Sequence, residues 1–292
     1  MRGQVRTPRM NLREVAELRP ELETQEKHEM TTYEFVQIER QGAVAVMTLN
    51  RPKSLNSWNA KMRGEMKSAV NELVEDDELR VLVITGTGRG FSAGEDVRGM
   101  EDLAAISTRS FRRVVRTFHD IFDQLEKMEV PVIAAINGVA AGGGLELALS
   151  CDFRIASDAA RFGFPENKVG LIPGSGGCSR LVKLVGPARA KWLVMTGEII
   201  GAQQALEYGL VEEVVPAQDL MKRALEFAQE LASKAPQATG LAKLVINNCL
   251  DVDLATGRNF ERLAQSVLKR TEDHKEGARA FVEKRPAVFS GR

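Results

Sequence analysis

Three consecutive glycines, Gly142, Gly143 and Gly144, with a carboxylate two residues on at Glu146, constrain this chain more than any other feature. They lie in the stretch from Ile133 to Gly177, IAAINGVAAGGGLELALSCDFRIASDAARFGFPENKVGLIPGSGG. Glycine at this density costs backbone entropy. It is expected where main chain approaches a ligand closely or takes up positive φ. Small residues also serve helix packing, but three in a row exceed what packing needs. The apolar run Leu145 to Leu149 follows at once, so Gly142–Gly144 reads as a loop that opens a helix with free N–H groups at its start. Such groups can hold an oxyanion. A carboxylate inside an apolar run is costly unless partnered or neutralised, and its pKa is then perturbed, as at many functional sites. A second carboxylate, Glu166, follows in Phe-Pro-Glu. On its own Glu166 reads as a surface loop residue; together with Glu146 it could share one water molecule.

The chain's 292 residues are enough for one large domain with a small appendage. Its 40 basic and 40 acidic side chains balance, which argues against a nucleic-acid footprint. Cys151, Cys178 and Cys249 are widely spaced with no C-x-x-C, so neither a zinc site nor a disulfide framework is expected. His28, His119 and His274 are too dispersed to propose a metal site. The most apolar stretch, Pro131 to Ser150, is interrupted by Asn137, the glycines and Glu146, so no membrane span is expected. The arginine-rich N-terminus lacks an apolar core, and a cytoplasmic location is the expectation.

Residues 1–29 are highly charged and read as an extension outside the core. Residues 30–216 carry the β-rich runs. Tyr33–Glu39 and Ala43–Leu49 predict a hairpin, and Val81–Thr85, Pro131–Ile136, Cys151–Ala156 and Val211–Val215 predict short buried strands. Helical spacing covers Trp58–Glu75 and Ser107–Met128, the latter with Phe111, Val115, Phe118 and Leu125 on one stripe. Strands alternating with helices predict an α/β fold. Residues 217–292 predict three helices, Asp219–Lys234, Ala238–Leu250 and Asp253–Arg270, whose apolar faces suit packing on the core or on another subunit.

Gly86-Thr-Gly-Arg-Gly90 follows a strand, yet no Gly-x-Gly-x-x-Gly or Gly-Lys-Ser/Thr is present, so a dinucleotide or P-loop reading is weak. The text continues Phe91-Ser-Ala-Gly-Glu-Asp-Val97, where Ala93 and Gly94 allow close backbone approach and the N–H of Glu95 could point into a site. Asn50-Arg-Pro-Lys-Ser-Leu-Asn56 and Phe281-Val-Glu-Lys-Arg-Pro286 are either solvated segments or places for a phosphorylated ligand.

Taken in order, these stretches resemble the crotonase family, the enoyl-CoA hydratase/isomerase superfamily. The matching pieces are Leu49–Asn56, Phe91–Val97, Asn137-Gly-Val-Ala-Ala-Gly-Gly-Gly-Leu-Glu-Leu-Ala148, Phe162-Gly-Phe-Pro-Glu166 and Gly170-Leu-Ile-Pro-Gly-Ser-Gly-Gly177. Ala205–Val211 and Glu276–Arg285 join them, so the resemblance runs from about Tyr33 to the C-terminus. It implies a spiral of ββα units followed by a helical trimerisation region, in a homotrimer or hexamer. It implies an acyl-CoA thioester as substrate and no separate cofactor or metal, the coenzyme A being part of the substrate. The oxyanion-hole N–H groups fall on Glu95 and Gly143. Ala93, Asp96, Val97 and Gly142 fall along the ligand path, Lys53 and Arg98 near the CoA phosphates, and Phe281 and Lys284 where a neighbouring subunit's CoA is reached.

One fold hosts several reactions. Hydratases of the family use two glutamates, at the positions of Glu146 and Glu166, whereas many isomerases and hydrolases have lost one or both. Both being present implies reversible hydration of a trans-2-enoyl-CoA, with Glu146 as base and Glu166 as acid. The alternatives are Δ3–Δ2 isomerisation, other acyl-CoA chemistry of the family, and a non-catalytic RNA-binding member. The last would need a basic stripe, and Arg109, Arg112, Arg113 and Arg116 form only a short one. Glu95 departs from the uncharged residue common at its position and adds a carboxylate beside the site.

Overall fold

A computed structural model describes residues 32–96 and 105–292. The predicted 1–29 extension, Val97 and Arg98 lie outside the described residues. In chain order the elements are β1 (Val36–Gln41), β2 (Val44–Leu49), α1 (Ala60–Val74), β3 (Val81–Gly86), β4 (Gly90–Ser92), α2 (Thr108–Lys127), β5 (Val132–Ile136), β6 (Val139–Ala141), α3 (Gly143–Leu149), β7 (Phe153–Ser157) and β8 (Arg161–Gly163). There follow α4 (Gly177–Thr196), β9 (Ile199–Gly201), α5 (Ala202–Tyr208), β10 (Glu213–Val215), α6 (Leu220–Ala232), α7 (Pro236–Cys249), α8 (Leu254–Leu268) and α9 (Glu272–Glu283).

The strands form two sheets. The first has the order β1-β2-β3-β5-β7-β10, the second β4-β6-β8-β9. The predicted hairpin is there, with Val36 opposite Leu49 and Gln41 opposite Val44, and every later pair in the first sheet is parallel. Three times running, the chain makes a strand of the first sheet, turns a corner, and makes a strand of the second: β3 then β4, β5 then β6, β7 then β8. This is the spiral of ββα units that the family resemblance implies. Asn137 ties successive corners: its Oδ1 accepts from Gly86 N at 3.2 Å and its Nδ2 donates to Gly88 O at 3.0 Å and Gly90 O at 3.1 Å.

The inner strands β2, β3, β5 and β7 of the first sheet are buried on both faces, which is why they read as largely apolar runs. Along β2, β3 and β5, Ala45, Met47, Leu82, Ile84, Val132, Ala134 and Ile136 face the main core. The alternate residues Val44, Val46, Val81, Val83, Ile133 and Ala135 face Leu220, Ala224 and Ala228 of α6. The first helix past Pro216 therefore covers a face of the core sheet. In α1 the buried residues Met62, Met66, Ala69, Val70 and Leu73 recur at helical spacing behind an Asn59 cap. In α2 only the C-terminal half is buried, through Phe118, Ile121, Phe122 and Leu125; Phe111, expected on that stripe, is exposed.

The helix α7 is fastened to the core by one buried cation. Lys243 Nζ donates to the carbonyls of Leu125 (2.7 Å) and Val130 (2.9 Å) and pairs with Asp152 Oδ2 at 2.8 Å. Removing one partner of such a pair strands the other charge. Lys243→Met is expected to destabilise the fold by about 3–5 kcal/mol, and Lys243→Met with Asp152→Asn to recover part of the loss. Urea unfolding of the two variants measures both; a single variant as stable as the parent would remove Lys243 as the fastening.

Candidate active site

Glu146 stands in the first turn of α3 and is 3% exposed. Its apolar neighbours Leu145, Leu147, Ala148 and Leu149 are all buried with it. It is partnered by backbone. Oε1 accepts from Ser175 N at 2.6 Å and from Gly177 N at 2.8 Å, the latter in the first turn of α4. Burial pushes its pKa up; the Gly177 and Ser175 N–H groups, with the Arg180 and His119 charges, oppose that rise.

Glu166 lies in the 3-10 turn Pro165–Val169, which ends at Gly170 in the left-handed region. The turn carries the carboxylate back to α3. A methyl group on Gly142 would stand 2.8 Å from Glu166 Oε1, and Gly142 itself has φ +53° and ψ −128°. Both close approach and backbone conformation thus call for glycine there. Glu166 Oε2 is buried without a protein partner among the described residues. Its pKa is pushed up to about 7, first by burial and further by the Glu146 charge.

Two N–H groups converge next to this pair. Trp58 forms an isolated parallel bridge with Glu95, in which Trp58 N donates to Gly94 O at 2.7 Å and Asp96 N donates to Trp58 O at 3.0 Å. That geometry turns the Glu95 N–H away from Trp58. Gly94, at φ +80°, brings the two backbones together: a Cβ on it would lie 2.6 Å from Gly143 N. Gly143 opens α3, and among the described residues neither its N–H nor that of Glu95 donates to a protein acceptor. Two unspent donors beside two carboxylates can hold a carbonyl oxygen as it gains charge.

The side chain of Glu95 is paired with Arg63 of α1. Burial raises its pKa and the Arg63 charge opposes the rise. Arg63 also lies over the Phe118 ring, 5.7 Å from its centroid, and Phe118 packs on Trp58 at 5.2 Å between ring centroids. Asp96 pairs with Arg51 at 3.3 Å, and Arg51 also donates to the Ser57 carbonyl. Ala93 N donates to Leu55 O at 2.9 Å, and Lys53 is exposed in the 3-10 turn Pro52–Ser54. The structure thus brings Glu95, Gly142, Gly143, Glu146 and Glu166 together, with Ala93 and Asp96 on the adjoining backbone. Phe281, 86% exposed, and Lys284, the left-handed cap of α9, have no hydrogen bond or ion pair to this group. Sequence reading missed Trp58, Arg63 and Arg180. Only Arg180 had a local signal, three residues beyond the Gly-Ser-Gly-Gly segment.

Comparison with known proteins gives the family. Residues 39–292 match the family model described as enoyl-CoA hydratase/isomerase. The chain is 44% identical over 249 residues to a short-chain-enoyl-CoA hydratase of Clostridium acetobutylicum, covering 85% of this chain and 94% of that one. It is 41% identical over 258 residues to a crotonyl-CoA hydratase of Syntrophomonas wolfei, covering 88% and 98%. The crystal structure of an enoyl-CoA hydratase from Bacillus anthracis superposes with a TM-score of 0.84 at 39% identity, covering 89% of this chain and all of that one. With the match extending from β1 to the C-terminus, this chain belongs to the enoyl-CoA hydratase/isomerase family.

Proposed function

We propose that the protein catalyses the reversible addition of water to a trans-2-enoyl-CoA, giving a 3-hydroxyacyl-CoA. The observation that carries this reading is the unlike setting of two neighbouring glutamates. Glu146 is held by two N–H donors, which favour its ionised form. Glu166 has a buried oxygen with no partner among the described residues and a pKa pushed up to about 7, which favours its protonated form. The thioester carbonyl sits between the N–H groups of Glu95 and Gly143. Glu146 takes a proton from water as its oxygen bonds to C3, and negative charge moves to the thioester oxygen. The carboxylic acid of Glu166 gives its proton to C2 as that charge returns. Water is thereby split across the double bond, and the proton on Glu146 returns to Glu166 through solvent. The pair works as one unit, so either glutamate alone is insufficient.

Lys53, Ala93, Asp96, Val97, Arg98 and Gly142 are the proposed coenzyme A and thioester contacts. Phe281 and Lys284 are proposed to reach a neighbouring subunit's ligand within a trimer or hexamer. Exposed Ile246, Leu250, Leu254, Leu263 and Val267 on α7, α8 and the loop between them support self-association.

Hydration removes the conjugated thioester absorbance of crotonyl-CoA. Glu146→Gln and Glu166→Gln are each expected to slow this loss by ~10²–10⁴-fold. Rapid isomerisation of a 3-enoyl-CoA with no hydration by the parent would replace this reading with an isomerase. The pH profile of kcat/KM is a second check. Protonated Glu166 is the acid, so activity should fall as pH rises through about 7. It should fall again at low pH as Glu146 takes up a proton. A profile flat from pH 6 to 9 would rule out Glu166 as the acid.

A further inference from the structure

The segment Pro173–Gly177 has two sides. On one side its N–H groups at Ser175 and Gly177 hold the Glu146 carboxylate. On the other side its carbonyls are held by side chains. Ser175 O accepts from Arg180 Nη1 at 2.9 Å, and Gly174 O lies 2.8 Å from His119 Nε2. Gly176, between Ser175 and Gly177, has φ +107°, and Arg180 N donates to its carbonyl at 2.8 Å. The segment contains no regular strand or helix before Gly177, so its N–H directions depend on what grips those carbonyls.

Arg180 is itself gripped. Its Nε donates to Glu126 Oε1 and its Nη2 to Glu126 Oε2, both at 2.7 Å, and Nη2 also lies 3.0 Å from Asp123 Oδ1. Two parallel N–H···O bonds to one carboxylate fix the plane of a guanidinium in a way an ammonium cannot reproduce. The Arg180 side chain is 15% exposed, whereas its partners Glu126 and Asp123 are 36% and 46% exposed. Glu126 and Asp123 belong to α2, whose inner face carries the core residues Phe122 and Leu125. A chain of contacts therefore runs from a packed helix through one guanidinium to the loop that aims Glu146.

We propose that Arg180 is a positioning residue for Glu146: clamped by Glu126, it fixes the Ser175–Gly176 peptide, which links the two residues whose N–H groups aim the Glu146 carboxylate at water. The inference rests on the assignment of Glu146 as the base. Arg180 touches no reacting atom. It acts through geometry and, secondarily, through a positive charge that favours ionised Glu146. The charged and titratable groups facing this assembly are His119, Asp123 and Glu126 from α2, Cys178 and Arg180 from α4, and Glu166 from the 3-10 turn.

The test compares Arg180→Met, Arg180→Lys and Glu126→Gln with Glu146→Gln in the full chain. Arg180→Met is expected to lower kcat by up to ~10²-fold, the scale of a small misplacement at the reacting centre, with KM little changed. Its acid limb should also move to higher pH, because a cation that favoured the Glu146 carboxylate is gone. Arg180→Lys should keep the acid limb near its parental pH while kcat stays low, since the charge survives and the fork does not. Glu126→Gln, which leaves Arg180 in place, should fall between the parent and Arg180→Met. Circular dichroism and thermal melting verify folding; if Arg180→Met does not fold, Arg180→Lys and Glu126→Gln decide. Parental kcat and an unshifted acid limb in the folded variants, with Glu146→Gln inactive, would overturn the positioning role. An active Glu146→Gln would instead overturn the two-carboxylate reading beneath it.

Discussion

The rest of the site is arranged around one carboxylate, that of Glu146, buried in the protein core and held by backbone N–H groups. An isolated buried carboxylate takes up a proton rather than bear the loss of hydration. Here two backbone N–H groups replace part of that hydration at 2.6 and 2.8 Å. Backbone donors are well suited to this. They carry no side-chain rotamer freedom, and their direction is set by the path of the chain. Gly177 adds the partial positive charge of a helix start, although Gly186 interrupts α4 halfway and limits the aligned length behind it.

The double spiral explains how four segments distant in sequence meet at this carboxylate. Each ββα turn delivers a short strand of the second sheet and then a loop. β4 leads to Glu95, β6 to Gly142 and Gly143, and β8 to the turn bearing Glu166. The three strands run parallel in neighbouring positions, so the loops at their ends fall side by side. The site is the row of these strand ends, consistent with ligands binding outside the carboxyl ends of parallel strands. The long, doubly buried first sheet supplies rigidity, while the second sheet, with strands of three residues, supplies aim.

This division also accounts for what could be read from sequence. Val81–Thr85 and Pro131–Ile136 are legible because a strand buried on both faces is apolar throughout. The second sheet is not legible. Its strands, Gly90–Ser92, Val139–Ala141, Arg161–Gly163 and Ile199–Gly201, are too short to show alternation. The glycines that let their corners stack look like loop. Thus β6 is a three-residue strand ending directly before the glycine loop Gly142–Gly144, and the spiral came from family resemblance rather than from periodicity. Helix α4 was hidden by Gly186-Pro187, a pair that normally ends a helix. Glu146 and Glu166 were legible as an anomaly, charge in apolar and turn settings. The partners that define them were not, because Ser175 and Gly177 act through backbone and Arg63 and Arg180 act across elements.

Glu95 shows how a charge can stand beside the proposed oxyanion-hole donors without defeating them. The donor there is backbone, so residue identity is free in principle, yet a bare carboxylate nearby would oppose an enolate forming at the same N–H. Pairing with Arg63 makes the local sum neutral, and the bridge to Trp58 fixes the N–H independently of the side chain. Arg63 is held in turn against Phe118, and Phe118 against Trp58, so the neutralising cation and the bridge that aims the donor are braced by one aromatic cluster. One Glu95 oxygen is buried and without a protein partner among the described residues, so the described residues do not fully satisfy the pair. A buried acceptor in that state is destabilising for the fold and favourable to any ligand group that can donate to it.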